Sequence, residues 1–451
     1  MDVFASIPNL AKDLAAGRIT ARQLVEDCLA RIEAPDGEGA RSFISVDKER
    51  ARLAADVCDR MRTGNLPLGP YAGIPISIKD LFDVEGQVTR AGSRVLDRQP
   101  SATADAAAVA CLRAAGFILI GRTNMTEFAY SGLGLNPHYG TPRSVWDREA
   151  GRIPGGSSSG AAVSVADGMA HAALGTDTGG SCRIPAAFNG LTGFKPTARR
   201  VPQGGVVPLS PSLDSIGPIA RSVACCTALD AVLSGESHSR PVPDCRGLRL
   251  LVPLTIALDG LDDKVSKDFE VALGRLSKAG AQIFEIPVPE FGEIAALQAK
   301  GGLTAAESFA YHRGMIEEKA ALYDPRVLKR ILRGAEQSAA DYIDVVNARN
   351  SLIRRASQRL ALFDALVMPT VPVVAPLLGD VEAEAAYTAA NLLVLRNSTL
   401  INMIDGCAIS LPIHEAGSAP VGLTVAGHSG DDAALLAIAS AIEARLVSRE
   451  T

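Results

Sequence analysis

The run at residues 155–185, GGSSSGAAVSVADGMAHAALGTDTGGSCRIP, constrains this chain more than any other stretch. Two glycine–serine clusters, at 155–160 and 179–181, bracket a segment of small, mostly apolar side chains. Glycine lets backbone approach a ligand closely, and serine supplies a compact hydroxyl that donates, accepts or attacks. A flexible linker has a similar composition, but the apolar AAVSVADGMAHAALGT between the clusters points to a folded site.

Around that run, helical and strand periodicities alternate, which is the pattern of an α/β layer protein. Residues 8–34 read as two amphipathic helices with Thr20 as an N-cap, SFISV (42–46) as a strand, and the charged stretch after it as a helix. Strand patterns follow at 74–78 and 117–122, a helix at 104–116, and a further helix starting in NMTEFAYSG (124–132). Beyond the small-residue run, GLTGFKP (190–196) reads as a strand and 222–235 as a helix; residues 290–362 are mostly helical, and late strands and a closing helix complete the chain. No repeat, low-complexity tract or proline-rich linker marks a boundary, so one large domain over 1–451 is expected.

The bulk numbers exclude several classes. A net charge of -5 without a basic patch argues against a nucleic-acid surface. No basic-then-apolar start marks a secretory signal, and no apolar stretch is long enough to cross a bilayer. The eight cysteines are scattered without a C-x-x-C pair, which fits free thiols in a reducing cytoplasm better than disulfides or zinc.

The strand pattern at 74–78 runs straight into Lys79. A lysine closing a buried strand either pairs with Asp80 or Asp83, snorkels to solvent, or serves as a neutral base. The last role needs a pKa brought from about 10.4 to near 7, which burial supplies. The six histidines are isolated and show neither metal spacing nor a clustered carboxylate. Gly156-Ser157-Ser158-Ser159-Gly160 matches a nucleophile-elbow pattern, but the preceding DREAGRIPG is turn-like where that motif needs a strand. No phosphate-binding glycine loop is present. What remains is serine chemistry without histidine: a lysine can accept the proton if it is neutral and within reach. The TDTGGS run (176–181) suits the other half of the task, since successive N–H groups of a glycine turn converge on an oxyanion.

These segments resemble the amidase signature family. The motifs appear as GIPISIKD around Lys79, IPGGSSSGAA around Ser157 and ALGTDTGGSCRIPAAFNGLTGFKPT from 173 to 197, with Ser181 24 positions after Ser157. The similarity extends from the GRIT turn near the start to APVGLTVAG near the end, and is densest over 70–220.

The resemblance implies an α/β fold with one large mixed, twisted β-sheet covered by helices on both faces. It divides the chain into a helical cover (1–65), a catalytic core (70–220) and a variable helical region (290–400) that selects substrate. It implies Ser181 as nucleophile, Lys79 as ultimate base, and Ser157, after a cis Gly156–Ser157 peptide, as the bridge between them. It implies an oxyanion hole from the N–H groups of Thr178, Gly179, Gly180 and Ser181, and an acyl pocket at Ala129, Tyr130 and Ser131. Arg183 is either a structural ion-pair residue or a contact to a substrate carboxylate, and Cys182 is packing. No metal or cofactor is required, the partner is a small-molecule amide, and a homodimer is the family expectation.

Three functions fit these features: a stand-alone amide hydrolase, the glutaminase subunit of a tRNA-dependent amidotransferase, or a non-catalytic binding subunit. YSGLGLNPHYGT (130–141) departs from the amidotransferase pattern, and intact Lys79, Ser157 and Ser181 argue against a non-catalytic role. Aliphatic, aromatic, fatty and ureide-type amides all occur among family substrates.

Overall fold

The computed structural model describes residues 5–237 and 240–446, so His238, one of the six histidines, lies outside the described residues. Its strands are β1 (Phe43–Val46), β2 (Pro75–Lys79), β3 (Ile118–Thr123), β4 (Ala172–Asp177), β5 (Thr192–Lys195), β6 (Ser215–Ala220), β7 (Arg249–Pro253), β8 (Gln282–Ile286), β9 (Ala365–Pro369), β10 (Cys407–Pro412) and β11 (Gly422–Gly427). All belong to one sheet in the order β1-β3-β2-β4-β6-β5-β10-β11-β9-β7-β8. It is mixed: β2 pairs in parallel with β3 and β4, the strands from β4 to β9 run antiparallel to their neighbours, and β7 is parallel to both β9 and β8.

Every residue of β2, β4, β5, β6 and β9 is buried. A strand buried on both sides needs cover on both faces of its sheet, and helices supply it. The first two, Ile7–Ala15 and Ala21–Ile32, form where expected. Thr20 caps the second with a reciprocal box: the Gln23 N–H donates to its hydroxyl and the Gln23 side chain accepts from the Thr20 N–H. Leu24, Val25, Cys28, Leu29 and Ile32 form its buried stripe. None of the described helices is long and apolar enough to cross a membrane, and all eight cysteines are free.

The helix expected to start in 124–132 does not form. Only a short 3₁₀ turn, Glu127–Ala129, is present, and Phe128 and Ala129 adopt positive φ of 48° and 60°. Side chains take over the hydrogen bonding there. Asn124 donates to the carbonyls of Arg41 and Gly140, while buried Glu127 accepts from the Ser93 hydroxyl and the Asp324 N–H, each at 2.7 Å. Two strands were hidden in the sequence: β4 lies inside the small-residue run, and β6 carries Pro218, a residue that argues against an interior strand.

Candidate active site

β2 and β4 are parallel neighbours, with Ile78 opposite Leu174, so both end at the same edge of the sheet, in Lys79 and Asp177. Crevices at the carboxyl ends of parallel strands are where such sheets bind ligands. Lys79 is fully buried, and its Nζ donates to Ser157 Oγ and to Thr176 Oγ1, each at 2.7 Å. Burial lowers its pKa to about 8, against the opposing influence of Cys182, Asp177 and Asp214. The ion-pair reading of this lysine fails. Asp80 turns to Arg122 at 2.8 Å and Asp83 accepts from Thr89, while no described carboxylate pairs with Lys79.

Ser157 follows Gly156 across a cis peptide and immediately precedes the tight start of the helix Ser159–Ala166. Ser181 sits on the turn after β4 and is 3% exposed. Among the described residues its hydroxyl makes no hydrogen bond, and none joins it to Ser157. Lys79 and Ser157 are therefore brought together directly, and Ser181 is presented separately.

The turn itself is held from behind by Asp177. Its Oδ1 accepts from the Gly180 N–H at 2.8 Å and its Oδ2 from the Cys182 N–H at 3.2 Å. Gly180 was expected to aim its N–H at an oxyanion; the structure commits that group to Asp177 instead. The N–H groups of Thr178, Gly179 and Ser181 take no partner among the described residues. Burial by itself would raise the Asp177 carboxyl, but the adjacent Arg183 charge and its hydrogen bonds overcome that and hold it well below the usual carboxylate range. Arg183 is fully buried and also donates to the Ser398 carbonyl and to Asn402 Oδ1, so it is a structural ion-pair residue. Cys182 is buried beside it. On the outer side, Thr178 Oγ1 donates to Asp214 Oδ1 at 2.5 Å, and burial raises the Asp214 carboxyl.

A cavity of about 270 Å³ opens in front of this turn, lined by Thr178, Gly179 and Ser181 together with Ala129, Tyr130 and Ser131. The strained turn at Phe128–Ala129 thus delivers the three residues assigned to an acyl pocket to the face of Ser181. One helix, Glu384–Met403, closes the other side. Its Asn391 accepts from Ser131 Oγ and the Gly132 N–H, its Ser398 hydroxyl donates to the Gly179 carbonyl at 2.6 Å, and its Asn402 donates to Asp177. Thr176, Asp177 and Asp214 were not singled out from sequence. The first two stand inside the TDTGGS run, where an acid ahead of a glycine turn is a usable signal; Asp214 and the 384–403 helix carried none.

Comparison with known proteins places the chain among amidases and their relatives. The family model described as Amidase matches residues 23–436. A 2-amino-5-chloromuconic acid deaminase from Comamonas testosteroni is 37% identical, over 97% of this chain and 96% of that protein. The A subunit of a glutamyl-tRNA(Gln) amidotransferase from Roseiflexus sp. (strain RS-1) is 34% identical, again over 97% and 96%. A crystal structure described as that of an amidase superposes with a TM-score of 0.89 at 34% identity, covering 98% of this chain and 100% of its own.

Proposed function

The chain belongs to the amidase family and is an amidohydrolase of that family, and from that premise we propose that it acts alone on a small-molecule amide, releasing a carboxylate and ammonia or a small amine. The observation that carries the mechanism is the fully buried Lys79, held at 2.7 Å from Ser157 Oγ with its pKa lowered to about 8 by burial. A lysine in that state is neutral in about a tenth of molecules at pH 7 and in half at pH 8, against a negligible share for an ordinary lysine, and the neutral form accepts a proton.

In this reading Ser181 attacks the amide carbonyl while its proton passes through Ser157 to Lys79. The Ser157–Ser181 contact closes when substrate is bound, since catalytic hydrogen bonds tighten in the reacting complex. The tetrahedral oxyanion is held by the N–H groups of Thr178, Gly179 and Ser181, each such donor contributing about 3–4 kcal/mol in acyl-transfer sites generally. The proton then goes to the leaving nitrogen, and water repeats the sequence on the acyl-enzyme. No step requires a metal or cofactor, and the eight free thiols are compatible with a cytoplasmic setting.

The glutaminase component of an amidotransferase is the second reading, favoured by the 34% identical relative. The cavity wall speaks against it: it carries three arginines and no aspartate or glutamate, leaving the α-ammonium of glutamine without a counter-charge. The test is ammonia release by the purified single chain from primary amides, ureides and glutamine, with Ser181→Ala as blank. Release from a non-glutamine amide supports the hydrolase; release from glutamine alone, or only after partner proteins are added, moves the assignment to the amidotransferase.

A further inference from the structure

The cavity in front of Ser181 is built for negative charge. Arg330, Arg333 and Arg396 line it, no acidic residue does, and among the described residues none of the three guanidinium groups forms an ion pair. Arg396 donates from Nε to Asn397 Oδ1 at 3.1 Å, while its Nη2 is buried with no partner. Asp259 is near enough to be felt by Arg396 electrostatically but forms no ion pair with it. The Arg330 guanidinium lies over the Tyr130 ring, 4.6 Å from its centroid, and Arg333 donates to the Ala299 carbonyl. Three cationic side chains around one cavity whose lining holds no carboxylate leave positive charge there that a bound anion would compensate.

We propose that Arg396, supported by the charges of Arg330 and Arg333, binds a carboxylate on the acyl side of the substrate, so that the enzyme selects half-amides of small dicarboxylic acids. This rests on the amide-hydrolase reading above. The planar guanidinium fork matches a carboxylate in shape as well as charge. Arg396 lies three residues before Thr399, about 4.5 Å along the same helix, and Thr399 Oγ1 donates to the Gly179 carbonyl at 3.3 Å. Arg396 and the oxyanion turn therefore border the same cavity, and Leu209, Leu213 and Leu395 offer the methylenes of an acyl chain an apolar wall.

Three amides of matched length test this: glutaramate, which carries the carboxylate; pentanamide, which has a methyl in its place; and glutamine, which adds an ammonium. The expected kcat/KM for glutaramate exceeds both others by about tenfold or more. In Arg396→Met the preference over pentanamide collapses to about threefold or less, through KM rather than kcat, and Arg396→Lys recovers part of it. Glutarate binding to the Ser181→Ala chain, followed by calorimetry, weakens about 10- to 100-fold when Arg396→Met is added. Pentanamide turned over as well as glutaramate, or glutarate affinity indifferent to Arg396→Met and Arg396→Lys, overturns the carboxylate site while leaving amide hydrolysis standing. Glutarate binding that depends on Arg396 in a chain that hydrolyses none of the amides supports the carboxylate site and removes the hydrolase reading.

Discussion

Asp177 and Arg183 meet at 3.0 Å with neither side chain exposed, six residues apart across the turn that presents Ser181. The pair joins the end of β4 to the start of the helix Arg183–Phe188, and the same carboxylate holds two backbone N–H groups of the turn. The arginine beside Ser181, fully buried and paired, therefore shapes the turn rather than facing the cavity.

Arg183→Met leaves the Asp177 charge buried without its partner and should cost about 3–5 kcal/mol of stability, measured by chemical denaturation. Because Asp177 is held below the usual carboxylate range, its contribution is complete above roughly pH 4 and is lost only as pH falls further. A loss of less than about 1 kcal/mol would show that the pair is not what holds the turn.

Gly180→Ala should damage the site by geometry alone. Gly180 has φ +131°, and a Cβ there would stand 2.1 Å from Ser398 Oγ and 2.6 Å from Ile184 Cδ1. The turn must move, misaligning its N–H donors, and kcat should fall by about 10²-fold or more. Wild-type kcat in this variant would remove the turn from the mechanism.

Lys79 predicts the pH profile. Its neutral form is the base, so kcat/KM should rise with pH through about 8 and level above it. Stability has the same direction: the unfolded lysine, near 10.5, binds its proton more tightly than the folded one, so folding gains stability as pH rises from about 8 to 10.5. Lys79→Met should abolish turnover without lowering Tm, because it removes a buried amine. Activity retained in this variant would end the lysine-base mechanism.

Thr176→Val tests a positioning residue. Thr176 Oγ1 accepts from Lys79 Nζ at 2.7 Å, a bond that favours the protonated amine. Its loss should move the inflection of the pH–rate profile below 8, whereas a merely structural role would lower activity at every pH alike.

Ser157→Ala should retain the fold and slow turnover by about 10²–10⁴-fold, the usual contribution of a proton-transfer group. Ser181→Ala should abolish it, and only chains with Ser181 should form a covalent acyl-enzyme, detectable by mass. An acyl-enzyme on Ser157 would exchange the two roles.

Much of this protein was legible in the chain itself. Helix caps such as Thr20–Gln23, the apolar periodicities and the two glycine–serine clusters are local signals, because a residue's neighbours within a few positions set them. They located most helices and strands, the turn after β4, and the lysine at the end of β2. Where they failed, distant partners outbid local preference, as when the buried Glu127 carboxylate took the Ser93 hydroxyl and the Asp324 N–H and a 3₁₀ turn replaced a helix.

The tertiary structure decided which chemistry each local feature serves. Lys79 and Ser157 are 78 positions apart and Lys79 and Thr176 are 97 apart; the parallel register of β2 against β4 brings Thr176 to the lysine, and the segment before the helix Ser159–Ala166, tied to Thr126 and Gly132 by backbone hydrogen bonds, brings Ser157. The same holds for Arg330, Arg333 and Arg396, which converge on one cavity from a helical region with no local motif. Sequence by itself determined most of the elements and the candidate reactive groups, since short-range sterics and hydrogen bonding govern them. Which N–H is spent on Asp177, which arginine is paired and which lines the cavity without an ion-pair partner depend on contacts between distant segments, and those exist only once the chain has folded.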